Sequence, residues 1–576
     1  MQLKTAYQVD KIPFSEHPLP QAEREEWLNL NGEWSLKKLS QAGETLFDGT
    51  ILVPFSPETL LSGVPEGFVL KVDESLVYNR SFILTAAQIS GKTLLHFGAV
   101  DSECEVFING NTVGQHRCGF TSFAFDITPF IREGENEITV TVTDDPIKTG
   151  GARGKQSHTP DTIWYTAQSG IWQTVWLEFM PKVCIENLRI TPSLEKGNVE
   201  ITFVCEEEVT VSLLDGETLL ETQNGVGMVE FKRNFELWSP ENPKLYNLLL
   251  TTPSGDKLTS YFGYRSFSVV TDKKGKKRFG LNGKPYFYNG VLDQGYWPDG
   301  LLTYPCDKAA IDELTLLKEM GFNTVRKHIK LEPARWYYHC DRLGIAVWQD
   351  FVNGGSEYNS WHIAFLPFLG AKHKDSDYKY FAREHEEGRA EYMQMAEEIL
   401  TSLYNCVCIA VWVPFNEGWG QFDSAKVTEF VKSLDDTRII DSVSGWHDQG
   451  KDKTPVLSLH TYLTPLKVPH DPRPVVLSEF GGYSLKTASH VVTDTEFGYK
   501  KFKSNESFVE AVEKLYLKKL MPLIKKGLSG CIYTQVSDVE TEINGLVTYD
   551  RAVQKIPAKK MRAINDALKS VWESIE

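Results

Sequence analysis

Residues 408–418, CIAVWVPFNEG, are the stretch that decides the fold, and residues 474–481, PVVLSEFG, repeat its pattern. Each is a short run of β-branched and other apolar residues bounded by proline and glycine, which is typical of a strand buried on both faces in a parallel sheet. Each run leads to a glutamate, Glu417 or Glu479. A carboxylate at the end of such a strand is expected at the C-terminal mouth of an α/β barrel, so we predict that both lie at one mouth.

The two glutamates also indicate a class of reaction. Two carboxylates about 5 Å apart on opposite sides of a sugar-sized hollow are the minimum machinery for retaining glycoside hydrolysis. A lone glutamate is more often a solvated loop residue. Two of them, each close to glycines that let a substrate approach the backbone, favour the catalytic interpretation.

The sequence around these two stretches alternates between strand and helix patterns. Helical periodicity covers residues 309–320, 333–343 and 386–404, and strand patterns cover residues 322–326 and 345–348. Such alternation over about 300 residues predicts a C-terminal (β/α)8 TIM barrel, at residues 269–576. The lysine-rich turn at residues 273–277 precedes it and is expected to be a solvated turn between domains.

The N-terminal half has the period-two pattern of β-sandwiches. Residues 105–108 run into Asn109-Gly110, a hairpin dipeptide, and residues 137–143 alternate between apolar and polar. We predict one β-sandwich at residues 1–180. A second β-rich block, at residues 181–268, has the size of an immunoglobulin-like sandwich but lacks that fold's Cys–Trp–Cys pattern.

The composition limits the possible partners. At 576 residues the chain is too long for one core, and its formal net charge of −16 disfavours nucleic acid or an anionic membrane. Its 14 tryptophans fit a protein that stacks aromatic rings on sugars, although sandwich cores also use tryptophan. We expect a carbohydrate substrate, no nucleic acid and no membrane, and a homo-oligomer is left open.

The cysteines and the N-terminal segment indicate a reducing compartment. Nine cysteines are scattered without disulfide or zinc-site spacing. The first residues lack the apolar core of a secretion signal, and no apolar run reaches the roughly 18 residues of a membrane helix. The expected location is cytoplasmic.

Several long motifs resemble one known family. They are LNGEW at 30–34, FGAVD at 97–101 with VFING at 106–110, IWY at 163–165 with SGIWQTVWLE at 169–178, WSPENPKLY at 238–246 and LNGKP at 281–285. Together they resemble glycoside hydrolase family 2, the family of β-galactosidases, β-glucuronidases and β-mannosidases. The resemblance implies an N-terminal jelly-roll sugar-binding-like domain, an immunoglobulin-like sandwich and a catalytic TIM barrel.

The resemblance also implies roles for residues. Glu417 would be the general acid/base and Glu479 the nucleophile of a double displacement through a glycosyl-enzyme intermediate. Asn416 would bind the sugar 2-hydroxyl, and Arg326 would brace the nucleophile and keep it ionised. A structural ion pair is the alternative for Arg326. Further substrate-binding candidates, each of which could instead be a packing residue, are Asp293, Trp297, Asp350, Trp446, His447, His460, Tyr462, Tyr533 and Gln535.

Three departures from the family pattern bear on specificity. Gln349-Asp350 stands where bacterial β-galactosidases have Asp-Glu near magnesium, so we expect no metal and no cofactor. Tyr533-Thr534-Gln535 stands where the family often has tryptophan. The Asn-Lys motif by which β-glucuronidases grip a carboxylate is absent after Glu479, which favours a neutral sugar, with β-galactosidase-like activity first and arabinoside, glucoside or mannoside as alternatives.

Two other functions remain open. The chain could be a carbohydrate-binding protein without catalysis, although both carboxylates are retained. It could also be a transglycosidase, which shares the covalent intermediate but passes the sugar to another hydroxyl.

Overall fold

The structure, a computed structural model, describes residues 3–575. It is multidomain, with a jelly-roll β-sandwich, an immunoglobulin-like β-sandwich and a C-terminal TIM barrel. The first sandwich has a six-stranded and a four-stranded antiparallel sheet around one apolar core. In spatial order the strands of the larger sheet are Thr45–Val53, Gly32–Leu39, Ser75–Leu84, Gly134–Thr143, Glu103–Ile108 and Asn111–Arg117, and those of the smaller are Trp27–Asn29, Val175–Met180, Lys92–Phe97 and Phe123–Asp126.

The predicted hairpin of this sandwich is confirmed. Strands Glu103–Ile108 and Asn111–Arg117 are joined by Asn109 and Gly110, which have φ values of 51° and 79°. Positive φ at both turn residues is what a two-residue hairpin requires, and asparagine and glycine adopt it most readily. The alternating stretch at 137–143 lies in strand Gly134–Thr143.

The second sandwich has its own apolar core. Its strands are Glu186–Ser193, Asn198–Val204 and Met228–Lys232 in one sheet, and Thr218–Gly225, Val209–Asp215, Tyr246–Thr251 and Lys257–Phe262 in the other. A three-stranded connecting sheet, formed by Phe267–Thr271, Lys277–Leu281 and Lys284–Pro285, follows it and contains the lysine-rich turn. The domain bounds at residues 180 and 268 stay predictions.

Eight parallel strands form the barrel, and we number them β1–β8 in chain order. Hydrogen bonding runs from β5 through β4, β3 and β2 to β1, and from β1 through β8 and β7 to β6. Between β5 and β6, Ser444 just after β5 contacts Ser458 of β6 and donates a 2.9 Å hydrogen bond to Ser478 of β7. The strands are β1 Tyr288–Asp293, β2 Thr324–Lys327, β3 Ala346–Asp350, β4 Ile409–Val413, β5 Ile439–Ile440, β6 Leu457–Thr461, β7 Val475–Gly481 and β8 Leu528–Thr534.

Helices surround these strands, and the three predicted from periodicity are among them. The longer helices are Asp307–Glu319, Ala334–Leu343, Glu386–Leu403, Ser424–Leu434, Asn505–Lys514 and Ala558–Glu573, and the shorter ones are Pro146–Thr149, Leu366–Phe368 and Met521–Ile524. Within residues 3–575, no helix has both the length and the apolar character that a bilayer crossing needs.

Two strand ends differ from the sequence prediction. The apolar pattern of residues 456–459 predicts a sixth strand that ends before His460, and that of residues 474–481 predicts a seventh that ends at Glu479, but β6 extends to Thr461 and β7 to Gly481. The register of the β6–β7 pair shifts between Leu459 and His460, and that of the β7–β8 pair shifts after Leu477. Such irregularities re-aim side chains at barrel rims, and they place both residues inside a strand.

Candidate active site

Glu417, His460 and Glu479 form the centre of the barrel mouth. One carboxylate oxygen from each glutamate and one ring nitrogen of His460 all lie within 4.8 Å of one another. Both glutamates are buried. The segment after β4 supplies Glu417, and strands β6 and β7 supply His460 and Glu479, so residues up to 62 positions apart in the sequence meet here.

Glu479 is surrounded by donors that favour its ionised form. An Nη atom of Arg326 lies 3.2 Å from one Glu479 oxygen, and the Tyr462 hydroxyl donates to the other. Burial alone would raise the pKa of Glu479, but the charges of His460 and Arg326 and the hydrogen bond from Tyr462 lower it. The carboxylate is therefore held as an anion.

Glu417 has the opposite tendency. Burial raises its pKa, the negative charge of Glu479 raises it further, and His460 opposes both. Nδ1 of His460 lies 2.6 Å from a Glu417 oxygen, while Nε2 of the same ring lies 3.0 Å from Ser444 Oγ. Glu417 itself has φ 52°, and its backbone N–H donates to the Ser444 carbonyl at 2.9 Å. The hydrogen bond to Ser444, just after β5, thus helps to hold Glu417 in an uncommon left-handed conformation.

Arg326 connects the residues of this site. Its guanidinium is fully buried and donates to both Asp350 oxygens at 2.9 Å, a bidentate pair. It also donates to Asn416 Oδ1 at 2.7 Å. The Nδ2 of Asn416 is buried and has no protein partner among the described residues. One arginine therefore fixes Asp350, Asn416 and Glu479 together and leaves one amide group of Asn416 available.

Asp350 contacts His328 in addition to Arg326. Its Oδ2 lies 2.7 Å from His328 Nδ1. Burial raises the pKa of Asp350 to about 7, against the lowering effect of Arg326. Asp350 is thus a brace for Arg326 in this structure, and its direct contact with a sugar stays a prediction.

Trp446 and His447 lie beside the acid. The Trp446 ring centroid is 6.3 Å from that of His460. His447 is buried, and burial lowers its pKa to about 4. Its Nδ1 accepts from the backbone N–H of His373, and a side chain added at Gly418 would touch its ring. Both residues are therefore adjacent to the Glu417 segment, and their role in substrate binding stays a prediction.

The other sequence candidates have protein neighbours in the structure. Asp293 forms an ion pair with Lys327 at 2.5 Å. The ring of Trp297 is covered by the guanidinium of Arg551 at 3.9 Å. Tyr533 packs among the rings of Phe480 and Tyr516. Gln535 is 1% exposed, and neither atom of its amide has a protein partner among the described residues. The hydroxyl of Tyr533 likewise has no hydrogen-bond partner among the described residues, so Tyr533 and Gln535 are the two of these four with unused hydrogen-bonding groups.

Glu417, His460 and Glu479 also lie close enough together to hold a metal ion. Within residues 3–575 no other group of three His, Cys, Asp or Glu side chains does so. The guanidinium of Arg326 places a positive charge 3.2 Å from Oε1 of Glu479. Nε2 of His460 lies 3.5 Å from the same oxygen. A cation beside a guanidinium would be repelled. The chemistry of this cluster therefore fits proton transfer better than metal binding.

Sequence reasoning missed several residues of the site. Tyr499 stacks on Tyr462 with ring centroids 3.7 Å apart. The ammonium of Lys155 lies 5.4 Å from the ring centroid of Trp419, which is two residues after Glu417. Lys155 comes from the first sandwich, in the loop before the IWY motif at 163–165. A basic residue directly after Gly154 and close to a family motif was the available signal, but a loop that precedes Glu417 by 262 residues could not be placed beside it from sequence.

Comparisons with known proteins agree with this architecture. Residues 61–181 match the family model for the sugar binding domain of glycosyl hydrolases family 2, and residues 273–560 match its model for the TIM barrel domain of that family. The chain belongs to glycoside hydrolase family 2.

Individual relatives carry several different names. A β-galactosidase of Thermoanaerobacter pseudethanolicus is 25% identical over 74% of this chain and 56% of its own length. The chain spans about a third to just over half of the first three curated relatives that it matches. Among solved structures, a β-glucuronidase of an uncultured Clostridium sp. is 18% identical, with TM-score 0.74 over 96% of this chain and 99% of that one. A β-galacturonidase of Eisenbergiella tayi bound to galacturonate is 19% identical, with TM-score 0.70 over 97% and 99% of the two chains. These structures share the fold.

Proposed function

We propose that this protein is a retaining, exo-acting glycoside hydrolase that releases a terminal sugar. One observation carries the proposal: two buried carboxylates with oxygens within 4.8 Å have pKa values shifted in opposite directions. Such a spacing is close to the roughly 5 Å of retaining enzymes and shorter than the 6.5–9.5 Å or so of inverting ones. A nucleophile must be ionised and an acid protonated, and the two environments favour those states.

In the first step, an oxygen of ionised Glu479 attacks the anomeric carbon of the substrate. Glu417 gives its proton to the departing glycosidic oxygen as that C–O bond breaks. Arg326 and Tyr462 hold the attacking carboxylate, and Asn416 Nδ2 is available for the sugar 2-hydroxyl, a contact that strengthens in the transition state. The product is a glycosyl ester on Glu479 and a free aglycone.

In the second step, Glu417 acts as a base. Esterification removes the charge of Glu479, which was raising the pKa of Glu417, so the acid loses affinity for a proton. Glu417 then takes a proton from water as the water oxygen attacks the anomeric carbon, and the ester bond to Glu479 breaks. The anomeric configuration is retained after two inversions.

The glycone is a separate question. β-galactosidase-like specificity is the first candidate from the sequence, because the Asn-Lys motif is absent after Glu479. The Asn-Lys motif is only one way of anchoring the carboxylate of a sugar, and a cation elsewhere in the site could do the same. Relatives and fold neighbours are named for galactosides, glucuronides and galacturonides.

A panel of para-nitrophenyl glycosides tests the proposal. It should cover both anomers of the common pyranoses and furanoses, neutral and acidic. We expect turnover of one β-glycoside, and proton NMR of the fresh product should show the β-anomer before mutarotation. The α-anomer as first product, or no turnover of any glycoside together with measurable sugar binding, would contradict the proposal. The second result would favour a carbohydrate-binding protein.

Transglycosylation uses the same intermediate. It would appear as glycosylated acceptor when the reaction is repeated at high acceptor concentration. Hydrolysis is preferred here because water is the acceptor that needs no further binding site.

A further inference from the structure

Four lysines of the described chain are buried, and three of them have anionic partners. Lys327 contacts Asp293 and Glu332, Lys330 contacts Glu332, and Lys555 contacts Asp538, all at 2.5–2.7 Å. Burying an unpaired ammonium is costly, so such pairing is the normal solution. The fourth buried lysine departs from this pattern.

Lys155 is 6% exposed and has no carboxylate or carbonyl within hydrogen-bonding distance of its ammonium among residues 3–575. Its Nζ lies 5.4 Å from the centroid of the Trp419 ring and 5.5 Å from that of Tyr165. Aromatic faces attract a cation only weakly and accept no strong hydrogen bond. The three N–H donors of the ammonium are therefore left for something that the protein does not supply.

The position of Lys155 is fixed by its backbone. Its carbonyl accepts from the Tyr165 N–H at 2.9 Å, and the N–H groups of Arg153 and Gly154 donate to the Asn353 carbonyl, just after β3, at 3.0 Å. Gly154 has φ +62°, and a side chain there would come within 3.3 Å of the Ile329 carbonyl. These contacts attach the sandwich loop to the barrel, so the backbone from which the Lys155 side chain extends has a fixed position.

The ammonium faces the same mouth as the catalytic pair. Trp419 is two residues after Glu417, and the charge of Lys155 favours the ionised form of both Glu417 and Glu479, although burial still raises the pKa of Glu417. Neither glutamate is within ion-pair distance of it. A buried lysine without an ion-pair partner among residues 3–575 therefore lies close to the mouth that holds the two glutamates.

We propose that Lys155 is a substrate-binding residue that pairs with a carboxylate of the sugar, and that the substrate class is an acidic glycoside such as a uronide. The inference rests on the proposed function for the reaction and replaces the neutral glycone expected from sequence. A ligand carboxylate would give Lys155 the kind of partner that the other three buried lysines already have.

Substitution of Lys155 tests the proposal. Lys155→Gln and Lys155→Met remove the charge and keep the length, and Lys148→Gln, an exposed lysine in the preceding helical turn, is the matched control. We expect wild-type protein to prefer para-nitrophenyl uronides over the neutral sugars of the same configuration. Lys155→Gln should lose roughly 10- to 100-fold in kcat/KM on the uronide, mainly through KM, because a charge-assisted hydrogen bond is lost. On the matching neutral glycoside the change should be under about threefold, since that substrate lacks the partner.

Three outcomes would contradict the proposed role of Lys155 and leave the proposed glycoside hydrolysis unaffected. They are preference for a neutral glycoside, an equal loss on both substrates, and no loss on either. An equal loss with a shifted pH profile would assign Lys155 to tuning the carboxylates instead. Failure of the proposed function is distinct, because then no glycoside is turned over by the wild-type protein.

Equilibrium binding covers the case in which the variants fold poorly. Trp419 lies beside the ammonium, so its fluorescence in the wild-type protein reports on occupancy. Free glucuronate or galacturonate should bind more tightly than glucose or galactose, and the advantage should shrink as salt rises. Equal affinity for the acidic and neutral sugars would contradict the proposal.

Discussion

The jelly-roll sandwich and the barrel mouth bury their residues in different ways. In sandwich strand Gly134–Thr143, buried and more exposed positions alternate, and Ile138, Val140 and Val142 face the core. In β3 of the barrel every residue is buried, including Asp350. The sandwich is stabilised by apolar area, whereas the barrel mouth keeps buried charges in place by pairing them. Substitutions in the two regions should therefore affect different measurements.

The largest expected effect is at Glu479. Glu479→Gln should lower kcat by at least about 1,000-fold on any aryl glycoside that the parent cleaves, because no covalent intermediate can form. The melting temperature should change little, since the amide still accepts from Tyr462. Steady-state kinetics and a thermal melt check both. Full activity of the variant would remove Glu479 from the chemistry.

The next largest effect is at Glu417 and depends on the leaving group. Glu417→Ala should lower kcat/KM about 100- to 10,000-fold for a poor leaving group, but little for the first step with dinitrophenol, which needs no protonation. An equal loss on both leaving groups would contradict the acid role.

The pH profile provides a separate check on both carboxylates. Wild-type activity should fall as pH drops through the lowered pKa of Glu479, and as pH rises through the raised pKa of Glu417. In Glu417→Ala the alkaline limb should disappear while the acidic limb stays. Measurement of kcat/KM between acid and alkaline pH would show this, and an unchanged alkaline limb would assign it to another group.

A core substitution in the sandwich should act on stability instead. Ile138→Ala removes a fully buried side chain and should cost about 2–5 kcal/mol in the free energy of unfolding of that domain. Glu135→Ala, on the exposed positions of the same strand, is the control. Denaturant unfolding and kcat should be measured together. A large loss of kcat at a temperature where Ile138→Ala is folded would mean that the two regions are not separable.

The smallest of these effects is expected at Arg326. Arg326→Lys keeps the charge but loses the bidentate contact to Asp350, so kcat/KM should fall roughly 10- to 100-fold. The charge of Arg326 lowers the pKa of Glu479, and the shorter lysine would hold its charge farther from Glu479, so the acidic limb of the pH profile should move to higher pH. Arg132→Lys, an exposed arginine, controls for the substitution itself. An unmoved acidic limb would leave Arg326 with a structural role only.

The contrast between the two regions also explains what the sequence could predict. Periodicity identified the sandwich strands and the barrel helices, because alternation and helical spacing are local properties. Glu417 and Glu479 could be singled out as candidates because each comes at the end of a recognisable apolar run in the sequence. The apolar pattern misplaced the end of the sixth strand at Leu459, since the register shift beside His460 depends on pairing with β7.

The rest of the site depends on contacts between distant segments. The bidentate Arg326–Asp350 pair and the approach of Lys155 to Trp419 join residues that no local pattern links. Trp297 is a further example, because the sequence did not show that Arg551 covers its ring, and its contact with a sugar stays a prediction. Motif resemblance suggested the chemistry, and the structure shows which charges lie beside Glu417 and Glu479.

Covalent trapping is the most direct test of the central claim that Glu479 attacks the sugar. The protein would be incubated with the 2-deoxy-2-fluoro analogue of its best aryl glycoside, which slows hydrolysis of the intermediate, and then digested for mass spectrometry. We expect one added fluoroglycosyl group per chain, located on the peptide that contains Glu479 and absent from Glu479→Gln. Release of the aryl group without any attached sugar, or a sugar attached to another residue, would contradict the account.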